Sequence, residues 1–215
     1  MGKEFKYLKL FLEYLSDNYE AILPVGFEKE FISGINIVFI KKDKIDTYNR
    51  LELEGNKASE YANLYNYVLI RLKGRQEYRI LNLHLPQLSN SHMGLSYQEC
   101  RAELSDAMWE ATLAEAQRFG NEEKFYICGD LNADKDTENS ENLIKLRHIM
   151  IDTLTAKDRS NATYENKKKG ITGRFDYIFT TKSNVAKNRV HCSFIDPTLL
   201  QENLSDHASV RLNLA

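Results

Sequence analysis

The chain is predicted to be a mixed α/β protein, and three observations carry that expectation. Several short runs rich in Val, Ile, Tyr and Phe are bounded by turn residues, as strands are. Apolar residues at helical spacing mark two or three helical segments, and the longest of them sits between strands. The 215 residues, 42% hydrophobic and 28% charged, suffice for one sizeable core in ordinary globular proportions. A single domain spanning 1–215 is the expectation.

Phe5, Leu8, Leu12 and Leu15 recur at helical spacing while Lys6, Lys9 and Glu13 take the other side, which predicts a helix ending near Asp17-Asn18. Tyr19 to Leu23 reads as a short strand stopped by Pro24, and Gly34 to Ile40 as an apolar strand stopped by Lys41-Lys42-Asp43. Tyr65 to Leu72 and Tyr78 to Leu85 flank Lys73-Gly74-Arg75-Gln76 and predict a hairpin. Tyr97 to Phe119 is the longest helix, with Gly120 as its stop signal and Trp109 buried on it. A strand from Lys124 to Cys128, a polar loop from Asp134 to Asn139 and a short helix from Glu141 to about His148 follow. Lys157 to Thr172, with its run Lys167-Lys168-Lys169-Gly170, reads as a mobile loop. Arg174 to Thr180, Val190 to Ile195 and Ala208 to Leu212 complete the strands. No internal repeat or linker interrupts the chain.

Lys+Arg 29 against Asp+Glu 31 leaves a net charge of −2, so the chain has no global attraction for nucleic acid; such a contact needs a local basic patch. Cys100, Cys128 and Cys192 lack CxxC spacing and cannot all pair, which argues for free thiols in a reducing compartment and against zinc. No apolar run reaches membrane-spanning length and the first residues do not form a signal peptide. A cytoplasmic protein without integral membrane association is the expectation.

Two segments carry chemistry. Phe125-Tyr126-Ile127-Cys128-Gly129-Asp130-Leu131-Asn132 is an apolar strand ending in a carboxylate and an amide two positions apart, which leave an extended strand on one face. Ser205-Asp206-His207 adds a second carboxylate and an imidazole before the closing strand. Carboxylates, an amide and a histidine gathered at strand ends suit a hydrated Mg²⁺ and a phosphate ester. Leu131, between two polar residues, needs a core on the opposite face and argues against a plain solvent turn.

Taken in order with Asn82-Leu83-His84-Leu85, Thr163-Tyr164 and Arg174-Phe175-Asp176-Tyr177-Ile178-Phe179, these motifs make the chain resemble the endonuclease/exonuclease/phosphatase superfamily, from about residue 19 to the end. The resemblance implies a DNase I-like fold: two packed mixed β-sheets flanked by helices in a four-layer sandwich. Its first one or two strands are missing here, so the domain is expected to be N-terminally incomplete. The resemblance also implies roles. His84 contacts the phosphate or acts as general acid. Asp130 orients or deprotonates the attacking water, and Asn132 steadies it. Asp206 is a metal ligand, His207 the base or phosphate-contacting imidazole, and Asp176 the partner that fixes its tautomer. Glu4 lies 30 positions before Gly34 (34 − 4), the separation of the family's principal metal-binding Glu from its glycine-led strand. It is a candidate ligand for Mg²⁺ or Mn²⁺, beside the alternative of a helix N-terminal acid.

The implied activity is a metal-dependent phosphoesterase, leaning to a nuclease-like phosphodiesterase, that acts as a monomer on nucleic acid or phospholipid. A phosphoinositide or phospholipid phosphoesterase is one alternative. A catalytically impaired remnant that binds nucleic acid or protein is the other. Gly173, where abasic-site endonucleases place Trp, speaks against that subgroup.

Overall fold

The computed structural model describes residues 3–26, 35–54, 64–74, 76–87, 95–134, 137, 139–154, 161–168, 170–187 and 190–214. Helix α1 (Lys3–Leu15) leads into the antiparallel hairpin of β1 (Tyr19–Ile22) and β2 (Val38–Lys41). β3 (Ile45–Leu51), β4 (Tyr65–Leu72) and β5 (Glu77–His84) then form an antiparallel meander. The long α2 (Leu95–Phe119) carries the chain back so that β6 (Phe125–Asp130) pairs parallel to β5, a connection that a tight turn cannot make. After α3 (Ser140–Ile149) come β7 (Ile151–Asp152), the small hairpin β8 (Tyr164–Asn166) and β9 (Ile171–Gly173), and β10 (Asp176–Thr180). The chain closes with α4 (Lys182–Ala186), β11 (Val190–Asp196), α5 (Thr198–Gln201) and β12 (Ser209–Leu214). Six strands make one mixed sheet in the order β3-β4-β5-β6-β10-β7.

Alternation along these strands buries both faces of the sheet. Tyr65, Tyr67, Leu81, Leu83, Phe125, Ile127, Tyr177 and Phe179 point to one face and pack with Met108 and Trp109 of α2 and with Leu143 and Leu146 of α3. Val68, Ile70 and Ile80 point to the other, where Ile22, Val38 and Ile40 of the β1–β2 hairpin cover them. Full burial of each such side chain stabilises by roughly 1.5–3 kcal/mol. The predicted burial of Trp109 holds: it is 1% exposed. α1 adds an outer layer, with Phe11 edge-on to Phe39 of β2 at 5.7 Å between ring centroids. The β11–β12 hairpin lies against β10, and Ser193 Oγ stands 3.1 Å from Thr153 Oγ1.

The mixed α/β class and the layering are those expected. Among the described residues the layer opposite α2 consists of two hairpins, β1–β2 and β11–β12. Three local expectations change. The strand assigned from Gly34 starts at Val38; Gly34 lies outside the described residues, and the Asn36 carbonyl instead accepts from Asn66 Nδ2 at 2.9 Å. β3 has no apolar run to mark it in the sequence, because it is an edge strand whose middle residues are exposed and mostly polar. The predicted loop from Lys157 to Thr172 contains the β8–β9 hairpin; 157–160 and 169 lie outside the described residues.

Candidate active site

The site grows from sheet register. His84 closes β5, Asp130 closes β6 and Asp176 opens β10; His84 pairs with Asp130 across the parallel ladder, and Asp176 pairs with Asp130 across the antiparallel one. Partners in register project to the same face, so three side chains from three strands stand in one row at the end of the sheet.

The close of β6 depends on glycine. Gly129 has φ +118°, and a Cβ there would lie 2.0 Å from the Leu83 carbonyl oxygen of the neighbouring strand. Beyond Asp130 the strand breaks. Asn132 has φ +44°, its backbone N–H donates to Asp130 Oδ1 at 2.8 Å, and its Nδ2 donates to the Leu85 carbonyl at 2.7 Å. Asp130 and Asn132 do line one cavity, but a side-chain-capped turn gathers them, and the extended-strand geometry expected from sequence is absent. Leu131 is fully buried in the α2-side core, as its position between two polar residues required.

His207 arrives from the opposite direction. Its backbone N–H donates to Ser205 Oγ at 3.0 Å, and it forms a β-bridge with Tyr164. Thr163 ties this segment to β10. Its carbonyl accepts from Ala208 N at 2.7 Å, while its buried Oγ1 accepts from Phe175 N and Asp176 N, both at 3.0 Å. The result is a contact of 2.8 Å between His207 Nδ1 and Asp176 Oδ2. Further back, Arg174 makes a buried two-pronged ion pair with Asp152 at 2.7 and 2.8 Å, anchoring the start of β10.

His207 Nε2 and His84 Nε2 each stand 3.9 Å from Asp130 Oδ2. The Asp130 carboxyl is pushed up to about 6, first by burial and then by the negative charge of Asp176. The hydrogen bond to the Asp176 carboxylate raises the proton affinity of His207, against the opposing effect of its own burial. These groups open into a cavity of about 220 Å³ walled by Tyr164 and Phe175 and also lined by Asn132 and Asp206. Tyr164 packs on the His207 ring at 4.9 Å between centroids.

Five of the residues singled out from sequence, His84, Asp130, Asn132, Asp206 and His207, therefore line one cavity, and Asp176 touches His207 from behind. Glu4 falls in α1, and its side chain lies outside the described ones. No group of three or more His, Cys, Asp or Glu among the described residues could hold a metal ion. Asp130, Asn132 and Asp206 are among the residues that bring side-chain oxygens to the cavity. Carboxylate and amide oxygens suit a hard cation that keeps several waters. Gln87 and Arg101 also line the cavity, and the sequence motifs did not single them out.

Residues 36–207 match the sequence model of the Endonuclease/Exonuclease/phosphatase family. The chain belongs to this family. Members of this family are hydrolases that act on phosphate esters. No curated protein matches the sequence. Among solved structures, an endonuclease/exonuclease/phosphatase family protein from Bacteroides thetaiotaomicron is similar at 17% identity and a TM-score of 0.63, over 96% of this chain and 78% of that one. The endonuclease domain of TRAS1, a telomere-specific non-LTR retrotransposon, is similar at 13% identity and a TM-score of 0.56, over 96% and 90%. Sphingomyelinase C from Streptomyces griseocarneus is similar at 12% identity and a TM-score of 0.50, over 81% and 66%. At these identities the likeness is one of fold.

Proposed function

We propose that the chain hydrolyses phosphodiesters in a nuclease-like manner, with Asp130 as the base. The observation that supports this most is the position of Asp130 Oδ2, 3.9 Å from two imidazole nitrogens, one of them braced by Asp176. At 3.9 Å neither imidazole is hydrogen-bonded to Asp130, so the three groups can turn to a water and a phosphoryl group in the cavity that they line. A carboxyl with a pKa of about 6 is ionised at neutral pH yet takes a proton more readily than an ordinary Asp.

In the proposed reaction Asp130 accepts the proton of a water whose oxygen attacks phosphorus. The bond to the leaving oxygen breaks opposite, and His84 supplies that oxygen with a proton. The Nδ1–H of His207 donates to Asp176, which turns Nε2 towards the reacting group, where the protonated ring offsets the added negative charge. Asn132 presents Oδ1, since its Nδ2 is committed to Leu85, and orients the water. Asp206, exposed at the cavity rim, is the residue proposed to hold Mg²⁺ or Mn²⁺, with Glu4 as the second candidate. Such an ion, when bound, supplies Lewis-acid charge at a phosphoryl oxygen.

The test is hydrolysis of bis(p-nitrophenyl) phosphate by the purified chain with Mg²⁺ or Mn²⁺. Turnover by the wild type that Asp130→Ala and His207→Ala both lose supports the reading. Equal turnover by all three removes it.

A further inference from the structure

We propose that Arg101 of α2 is a phosphate-binding residue of this site, gripping the non-bridging oxygens of a phosphate ester. Ser105, Met108, Thr112, Glu115 and Ala116 are all buried, at intervals that place them on one stripe of α2. Arg101 lies one turn before Ser105 and continues that stripe. Core packing through Met108, Trp109 and Ala116 fixes the helix against the sheet, so the stripe's direction is set by the fold. Where β5 and β6 end, the stripe runs past the core, and Arg101 lines the same cavity as His84, Asp130 and His207.

Charge gives the position its meaning. Asp130 and Asp206 line the cavity and Asp176 stands behind His207, so a phosphate ester entering this space meets carboxylates. The imidazoles carry positive charge only while protonated. Among the described residues lining the cavity, Arg101 is the one whose charge is fixed at every working pH. Its planar fork of N–H donors matches two oxygens of a phosphoryl group. Held by a packed helix, it meets developing charge with little rearrangement. The spacing 101, 105, 108, 112 was available in sequence; an arginine in register with a buried stripe was the signal.

This inference rests on the reading of the cavity as a phosphoester site, and two measurements separate their failures. The first is inorganic phosphate binding by calorimetry at matched ionic strength, on the full chain and on Arg101→Gln and Arg101→Lys. The expected result is binding weakened at least about 10-fold in Arg101→Gln and less in Arg101→Lys, with melting unchanged. The second is kcat/KM on bis(p-nitrophenyl) phosphate, expected to fall about 100-fold in Arg101→Gln. Partial recovery of Arg101→Gly by added methylguanidinium would show that the missing group acts directly. Loss of phosphate affinity without any wild-type turnover would sink the hydrolytic mechanism and leave Arg101 in place. Wild-type phosphate affinity in both Arg101 variants, or no phosphate binding by the wild type, overturns the proposal even if Asp130 proves essential. If Arg101→Gln alters melting, Arg101→Lys decides: unchanged affinity counts against the fork, reduced affinity supports it.

Discussion

Asp130 and His207 draw opposite consequences from burial. Desolvation raises the Asp130 carboxyl to about 6, while His207 is raised because its bond to Asp176 outweighs desolvation. Removing the Asp130 carboxylate should cost roughly 10²–10⁴ in kcat, the range that positioned acid–base groups supply. The Asp176–His207 pair makes a prediction that needs no turnover. In the metal-free protein, the His207 pKa measured by NMR titration should drop in Asp176→Asn, because the neutral amide removes the group that favours the imidazolium. The sign for stability follows. The pair's contribution is fully present below the ordinary histidine pKa and is lost as pH rises through the raised folded value. An unchanged His207 titration in Asp176→Asn would show that the 2.8 Å contact does not set its protonation.

The elements show why the site holds together and what sequence could reveal of it. Gly129→Ala puts a methyl group 2.0 Å from the Leu83 carbonyl at a φ that suits glycine, so it should shift β6 against β5 and displace Asp130. Arg174 and Asp152 are 4% and 3% exposed, and Asp152→Ala leaves a buried guanidinium without its main partner. We expect a loss of roughly 3–5 kcal/mol in denaturant unfolding. A loss below 1 kcal/mol would show that water takes over. Cys128 tests the sheet face beneath Asp130: burial pushes its thiol up to about 12, while Cys100 is exposed. Alkylation at pH 8 followed by peptide mapping should label Cys100 well before Cys128. Strands with long apolar, β-rich runs, β4, β5, β6 and β10, were legible in the sequence. β7, β8 and β9 were not, since two or three residues cannot display a period. Thr163 was visible as a motif, but its bonds to Phe175 and Asp176 are tertiary and left no local trace.

At the scale of the molecule, ordered motifs placed five candidate residues around one cavity although they are spread from His84 to His207. What the sequence could not display was the convergence of three strand ends in register, or the capped turn that replaces an extended Asp130-Leu131-Asn132. Ion binding is a property of the whole fold. Mn²⁺ at about 100 times its dissociation constant should stabilise by about 2.7 kcal/mol and raise the melting temperature by roughly 5–10 °C. Asp206→Ala should remove most of that shift. No shift in the wild type would show that the oxygens of Asp130, Asn132 and Asp206 do not make an ion site in this chain. The measurement that bears most directly on the central claim is steady-state hydrolysis of bis(p-nitrophenyl) phosphate in Mg²⁺ or Mn²⁺ by the wild-type chain and by Asp130→Ala of equal melting temperature. The expected result is clear turnover by the wild type and a fall of at least about 100-fold in the variant. Equal rates in the two proteins, or a folded wild type that binds phosphate without hydrolysing the ester, would contradict it.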